Sequence, residues 1–479
     1  MLVEETNGRP LKAFDIILVM NRNWVFDLLF LMVFVTSSVL RLGLAIVDRD
    51  SNNVIETILQ QKRLPLTGEC EECFQPKMYY FAEAAAIEIA NINPDHQDSV
   101  TVAAQLINFI AGEIIILLAY ILIKRLHADH EDGGLIAFAL LSFNPALMAA
   151  SGSTVNDTFA ILFSSAAIYF CWEFMQEDKI SFLIVSGLFV VFGLSTKTNT
   201  WSTALAIFLV LWIKGVKEKR FSGFVITATF MVAVFIGTLL NPLSQYLINL
   251  QKYGTPVTLN VAPEPLPSFF EKTYVRRPGI ISIQDGLFTV KFIDLLESPR
   301  LTLGPTDYSP YRTSLWANLY GSANSLHFLN SPDSWHTKPD FEVTRSIFIL
   351  ALLPTVLFLF GVVSSWISLV KGFSSGSNDL LKQRHYGLFD LVILGYVLSI
   401  IALALRYRDF STMKAIYIYP GVLAFVSLFL DGARKFDAFI AKKNKWIVIL
   451  FGVAMVFLVV VYAIDVLHMI DHLYNVNIK

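Results

Sequence analysis

Charge is what this chain has least of. Of its 479 residues, 16% are Asp, Glu, Lys or Arg, where a soluble protein carries roughly a quarter. That shortage excludes an ordinary soluble globule. Cysteine is nearly absent too, with only Cys70, Cys73 and Cys171. Three cysteines exclude a disulfide-built scaffold. Cys70 and Cys73 form a CxxC with no second Cys/His pair nearby, and zinc needs about four ligands. The pair therefore reads as a local disulfide or as free thiols. No glycine-rich nucleotide fingerprint is evident, and no internal repeat, which weakens a secondary-transporter reading. The start, MLVEETNGRPLKAF, is polar and acidic, unlike the n-region of a cleavable signal peptide. The formal net charge of −2 names no partner, and no nucleic acid is expected.

What the chain has in abundance is apolar sequence. Hydrophobic residues make up 55% of it, gathered into runs near the ~20 residues that span a bilayer. Runs at 24–47, 100–123, 135–151, 155–172, 180–196, 200–213, 222–246, 346–370, 387–405, 412–430 and 446–468 predict an all-α, multi-pass membrane protein of about eleven helices. Lys and Arg cluster in alternate connections: Lys124 and Arg125; Lys214, Lys217, Lys219 and Arg220; Lys371, Lys382 and Arg384; then Arg434, Lys435, Lys442, Lys443 and Lys445. Basic residues stay on the cytoplasmic side. The N-terminus is therefore expected inside and the C-terminus outside. Three regions follow: an N-terminal membrane module (1–246) with a first outer loop at 48–99, an outer loop rich in Pro and aromatics (247–343), and a C-terminal membrane module (344–479). In the second loop, Trp316, Tyr320 and Trp335 either pack over the mouth of a membrane cavity or form the loop's own aromatic core. GLFTVKFIDLLE there predicts a short helix.

Three constellations on the outer side carry chemistry. The first is VDRDSNNVIETILQQKRLP, where Asp48 and Asp50 stand at the mouth of the first helix and a short helical stretch follows. A lone Asp there solvates a helix end. Two of them, before a helix and a QPKMYY turn, suggest a reactive rim. The second is SGSTVNDTFAIL, with Asn156 and Asp157 at a hairpin, where Asn156 or Thr154 could equally cap a helix. The third is RYRDFSTMKAIYIYP. There Arg406, Arg408 and Lys414 lie where a basic-poor segment is expected, and such cations suit a lipid phosphate. Headgroup snorkelling is the bland reading. Lys197 in STKTNTW is a fourth cation on that side. Glu113 is the clearest acid inside a span, and acids are otherwise nearly absent from the spans.

Together these segments resemble the GT-C glycosyltransferases, in particular the protein O-mannosyltransferase and aminoarabinose-transferase branch. There the first helix ends in an Asp, a short helix leads to an HPPLYY-like turn, an ND segment follows the third span, and a K…RY…P segment comes late. The matches here are Asp48 or Asp50, QPKMYY, Asn156-Asp157 and KAIYIYP. Gln75 stands in place of the usual His, Ile416 where Arg is common, and no Glu follows the first acid. The resemblance implies transfer of a sugar from a polyprenyl-phosphate-linked donor to a lipid, glycan or protein acceptor, at the non-cytoplasmic face of a bacterial plasma membrane or of the endoplasmic reticulum. It implies a loop Asp as general base (Asp50 ahead of Asp48, then Asp157), a donor phosphate held by Lys414, Arg408, Arg406 and Lys197, and a substrate site with Gln75, Tyr79, Tyr80 and Asn156. Some relatives use a divalent cation, and Asp48, Asp50 and Asp157 are the side chains that could hold one; no cofactor is otherwise expected. The competing readings are a multi-pass transporter or channel for lipid-linked or small polar substrates, and a membrane scaffold or polymerase of surface polysaccharide.

Overall fold

A computed structural model describes residues 13–48, 52–66, 69–70, 72–126, 131–219, 221–257, 283–297, 299, 314–325, 341–383, 385–407, 414–440 and 444–477. Every regular element among them is helical. In chain order they are α1 (Ala13–Val47), α2 (Asn53–Gln61), α3 (Met78–Ile89), α4 (Gln97–Leu126), α5 (Glu131–Ser142), α6 (Pro145–Gly152), α7 (Asp157–Glu177), α8 (Ile180–Leu194), α9 (Trp201–Glu218) and α10 (Phe221–Leu240). After them come α11 (Tyr246–Tyr253), α12 (Ile283–Phe288), α13 (Phe292–Glu297), α14 (Leu315–Asn324), α15 (Phe341–Leu350), α16 (Leu352–Ser375), α17 (Asn378–Gln383), α18 (Leu388–Tyr407), α19 (Val422–Ile440) and α20 (Lys445–Asn477).

All eleven apolar runs are helical. Among the described residues, eight helices are long and apolar enough to cross a membrane, or nine if α5 and α6, bent by 48°, count as one. The bend falls at Pro145, where Asn144 caps the new helix by accepting from the Leu147 amide; Pro lacks the N–H that would continue α5. The remaining two runs are α8, which is short, and α19, whose last turns carry Asp431, Arg434, Lys435 and Asp437. The 286–297 stretch, predicted as one short helix, is two, α12 and α13, separated by the non-helical residues 289–291.

α1 and α4 run antiparallel, tied by Lys124 to Asp27 at one end and by Arg41 and Ser38 to Glu113 further along. The mid-span acid is thus paired. Arg41 is fully buried, and its second amino group donates to the Ser142 carbonyl at 3.1 Å. An unpaired charge in hydrocarbon would cost several kcal/mol. α16 and α19 cross closely, with Gly361 and Gly432 backbone against backbone.

The two ends of the bundle differ. At one end sit Lys124, Arg125, Lys214 and Lys435, paired with Asp27 (Lys124), Glu173 (Arg125), Asp178 and Glu218 (both Lys214) and Asp431 (Lys435), and Lys217, which donates to the Phe373 carbonyl. At the other end meet the close of α1, the α6–α7 hairpin, the α8–α9 turn, the start of α3 and residues 414–421. The long loop touches this second end through α14. Ser322 Oγ accepts from the Ala415 amide (2.8 Å), and the Ala323 carbonyl accepts from Asn144 Nδ2 and from the Tyr419 hydroxyl (both 2.8 Å). Trp316 and Tyr320 make other contacts. Trp316 Nε1 donates to the Leu287 carbonyl, and Tyr320 packs between Phe292 and Phe348. Tyr320 thereby packs against a buried cluster that includes Leu44 and Val47 of α1 as well as Phe348 of α15; Trp335 lies outside the described residues.

Candidate active site

α1 carries Asp48 to the rim, because its helical bonding continues through Asp48 N to the Leu44 carbonyl. The carboxylate is buried and accepts from Ser153 Oγ at 2.9 Å. The acid at the mouth of the first helix is therefore tied to the hairpin that holds the second acid. Asp50 lies outside the described residues. α2 then starts at Asn53, with Asn52 as its cap accepting from the Val54 amide; a side-chain oxygen there satisfies an otherwise orphaned donor.

The hairpin from Ser153 to Asp157 is held from inside by Asn108 of α4. Its amide donates to the carbonyls of Ser153 (2.5 Å) and Val155 (3.2 Å) and to the Tyr79 hydroxyl (3.0 Å). α7 begins at Asp157 with no side-chain cap from Asn156, so the capping reading of Asn156 does not hold. Asn156 Nδ2 donates to the Tyr80 hydroxyl at 3.2 Å instead. Asp157 Oδ1 accepts from Lys197 Nζ at 2.6 Å, with both side chains about a tenth exposed. Breaking a pair this buried costs about 3–5 kcal/mol, because it strands one charge.

Lys197 reaches Asp157 from the α8–α9 turn, at the mouth of a 3-10 turn over Thr198–Thr200. Its ammonium lies 5.4 Å from the centre of the Tyr417 ring, and Asn199 Nδ2 donates to the Tyr417 carbonyl. The KAIYIYP segment therefore docks on the Lys197 turn. Lys414 precedes that segment's 3-10 turn, Ala415–Tyr417, and is half-buried. Arg408 and the side chain of Arg406 lie outside the described residues.

QPKMYY is pinned by its backbone. The Lys77 amide donates to the Leu243 carbonyl and the Met78 amide to the Ser195 carbonyl. Tyr79 and Tyr80 are fully buried and stacked edge to face. Gln75 sits half-buried at the turn, and none of the bonds described above involves its side chain. Burial holds both phenols well above their ordinary pKa, with Glu83 beside Tyr79 and Glu72 beside Tyr80 adding to it. Glu83 is itself buried, and its carboxyl is raised well above the usual carboxylate range.

Sequence reasoning missed Ser153, Asn108, Glu72 and Lys77. Ser153 and Asn108 are common residue types whose described long-range partners are 29 or more positions away, so no local pattern marks them. Lys77 was legible only as a departure from HPPLYY. Cys70 and Cys73 form a disulfide, one of the two states expected. Among the described residues no three His, Cys, Asp or Glu side chains converge. Asp48 and Asp157 are engaged by Ser153 and Lys197.

Residues 89–240 match the family described as dolichyl-phosphate-mannose-protein mannosyltransferase. That stretch includes Asn108, the Asn156-Asp157 hairpin and Lys197. Among solved structures, the chain is similar to ArnT from Cupriavidus metallidurans in the apo state, at 13% identity, covering 88% of this chain and 80% of that one, with a TM-score of 0.35. The same protein bound to undecaprenyl phosphate gives 13% identity, the same coverage and a TM-score of 0.34. No curated protein sequence matches the chain. The chain is thus helical, with spans long and apolar enough to cross a membrane, and its residues 89–240 are similar to that mannosyltransferase family.

Proposed function

We propose that the protein moves a sugar from a polyprenyl-phosphate-linked donor to an acceptor hydroxyl or amide at the non-cytoplasmic rim of the bundle, with inversion at the anomeric carbon. The observation that supports it most is the placement of Asp157 and Lys197 in one buried pair, on a rim that also carries Asp48 and Lys414. Acids and cations on one rim are what displacement of a lipid phosphate needs.

In this reading an acid of the first loop, Asp50 ahead of Asp48, takes the proton from the acceptor. The acceptor lone pair attacks the anomeric carbon from the face opposite the phosphate. The bond from that carbon to the phosphate oxygen breaks, its electron pair leaves with the polyprenyl phosphate, and a single displacement inverts the centre. Lys197 and Lys414, with Arg408 and Arg406, offset the charge building on the leaving phosphate. Asp157 is assigned to hold Lys197, because its Oδ1 is already engaged by that ammonium. The lipid tail stays in the bilayer, so the reacting carbon reaches only the interface, and a base fixed to the end of α1 waits at that depth.

The test is purified protein in lipid nanodiscs with radiolabelled polyprenyl-phosphate sugars, reading release of the carrier. General-base catalysis is worth about 100- to 10,000-fold, so Asp50→Asn or Asp48→Asn loses turnover by that order while inserting normally. Lys414→Ala weakens donor binding, and Lys197→Ala lowers turnover, because its ammonium acts on the charge that builds on the leaving phosphate. Near-normal turnover in both first-loop variants sinks the assignment of the base. A transporter would relocate the labelled lipid without releasing its carrier.

A further inference from the structure

Glu72 lies on the turn that the Cys70–Cys73 disulfide closes. A single oxygen, Oε2, accepts from two donors: the Tyr80 hydroxyl at 3.0 Å and Asn52 Nδ2 at 2.8 Å. Both donors lead on to the same hairpin. Asn52 Nδ2 also donates to the Thr154 carbonyl at 3.3 Å, and the Tyr80 hydroxyl accepts from Asn156 Nδ2 at 3.2 Å. The two arms grip the hairpin on either side of Val155, one residue short of Asp157. Ser153, bonded to Asp48, forms a third tie.

An exposed glutamate is normally mobile, and its bonds are worth little. Here its backbone is fixed. The disulfide closes the turn, and the buried Lys77 ammonium donates to the Cys73 carbonyl at 2.5 Å. The carboxylate also polarises the phenol it accepts from, which makes the Tyr80 oxygen a better acceptor for Asn156.

We propose that Glu72 is a positioning residue of the transferase, a carboxylate on a disulfide-closed turn that clamps the Asn156-Asp157 hairpin from two sides and so fixes where Asp157 holds Lys197. This rests on the transfer reading above. Glu72 touches neither donor nor acceptor in this role; it acts through Tyr80 and Asn52. The physical warrant is that displacing a catalytic group by about 1 Å can cost on the order of 100-fold in rate.

The experiment measures carrier release at saturating and limiting donor for wild type, Glu72→Ala, Glu72→Gln, Tyr80→Phe and the Glu72→Ala/Tyr80→Phe double variant, alongside amide exchange across 153–157. Glu72→Ala lowers kcat about 10-fold with the donor KM within about 2-fold, a split expected when geometry rather than binding is lost. Glu72→Gln keeps an oxygen able to accept from both donors and recovers to within about 3-fold of wild type. Because Tyr80 acts on the same arm, the double variant falls no more than about 2-fold below Glu72→Ala. Unchanged kcat in Glu72→Ala, a rise in KM alone, or losses that multiply in the double variant overturn the inference. A wild-type protein that releases no carrier overturns the transfer reading instead. The clamp then stands on amide exchange at 153–157, which Glu72→Ala accelerates if Glu72 holds the hairpin and leaves unchanged if it does not.

Discussion

Lys77 shows how burial changes what a residue does at the rim. Its pKa falls from the ordinary 10.5 to about 7, chiefly through burial, with Glu72 and Glu69 pulling it back up. Between those two values the folded state binds fewer protons than the unfolded one. Stability therefore rises with pH from about 7 to 10.5, and below pH 7 the full cost of burying the ammonium is present. Amide exchange over residues 72–80, corrected for the intrinsic rate, should show protection growing from pH 7 to pH 9. Lys77→Met removes the titrating group, and its protection should be flat. An equal slope in the variant would assign the effect to another group. At this scale the sequence exposed the acids and cations but not their partners: Asp157 was legible as an acid, whereas its tie to Lys197, forty positions away, was not.

At the scale of elements, the α16–α19 crossing depends on two glycines. A Cβ on Gly361 would overlap the Leu428 carbonyl oxygen, and one on Gly432 would overlap the Leu357 carbonyl oxygen. These obstacles are helix backbone, which cannot rotate away. Gly361→Ala should destabilise the protein by about 3 kcal/mol or more, at the upper end of overpacking costs, and a thermal-shift assay in detergent should show the lowered midpoint. An unchanged midpoint would mean that the helices can slide apart without loss. α14 is the other element that matters here. Its Trp316 donates to the Leu287 carbonyl and its Tyr320 packs between Phe292 and Phe348. It is the polar face of α14, through Ser322 and Ala323, that reaches the rim.

For the whole molecule, the end of α1 packs beside the end of α20, with Gly43 against Ile470. The close of α20 thus lies at the Asp48 end of the bundle, and the start of α1 lies at the opposite end, with Lys124 and Arg125. We propose, from the basic bias of that opposite end, that it faces the cytoplasm. A cysteine introduced at Asn477 should react with an impermeant maleimide from the outer side in sealed vesicles, and one at Asn7 only after permeabilisation. Labelling of both from one side would overturn this orientation.

The sequence alone determined that the chain is helical and lives in a membrane, because apolar runs of spanning length have no other stable solution in lipid. It also determined which segments bear reactive groups, since charged residues in so apolar a chain stand out one by one. The tertiary structure decided what those groups do. Glu113 looked like a lone acid in a span until helix packing set Arg41 against it. Asn156 looked like a helix cap until α3 brought Tyr80 within reach. Glu72 carries no sequence signal of its own, and the disulfide turn sets it within reach of Tyr80 and Asn52. Two of these pairings, Arg41 with Glu113 and Asn156 with Tyr80, join residues more than seventy positions apart. Their geometry is set by how helices pack, which local periodicity does not encode.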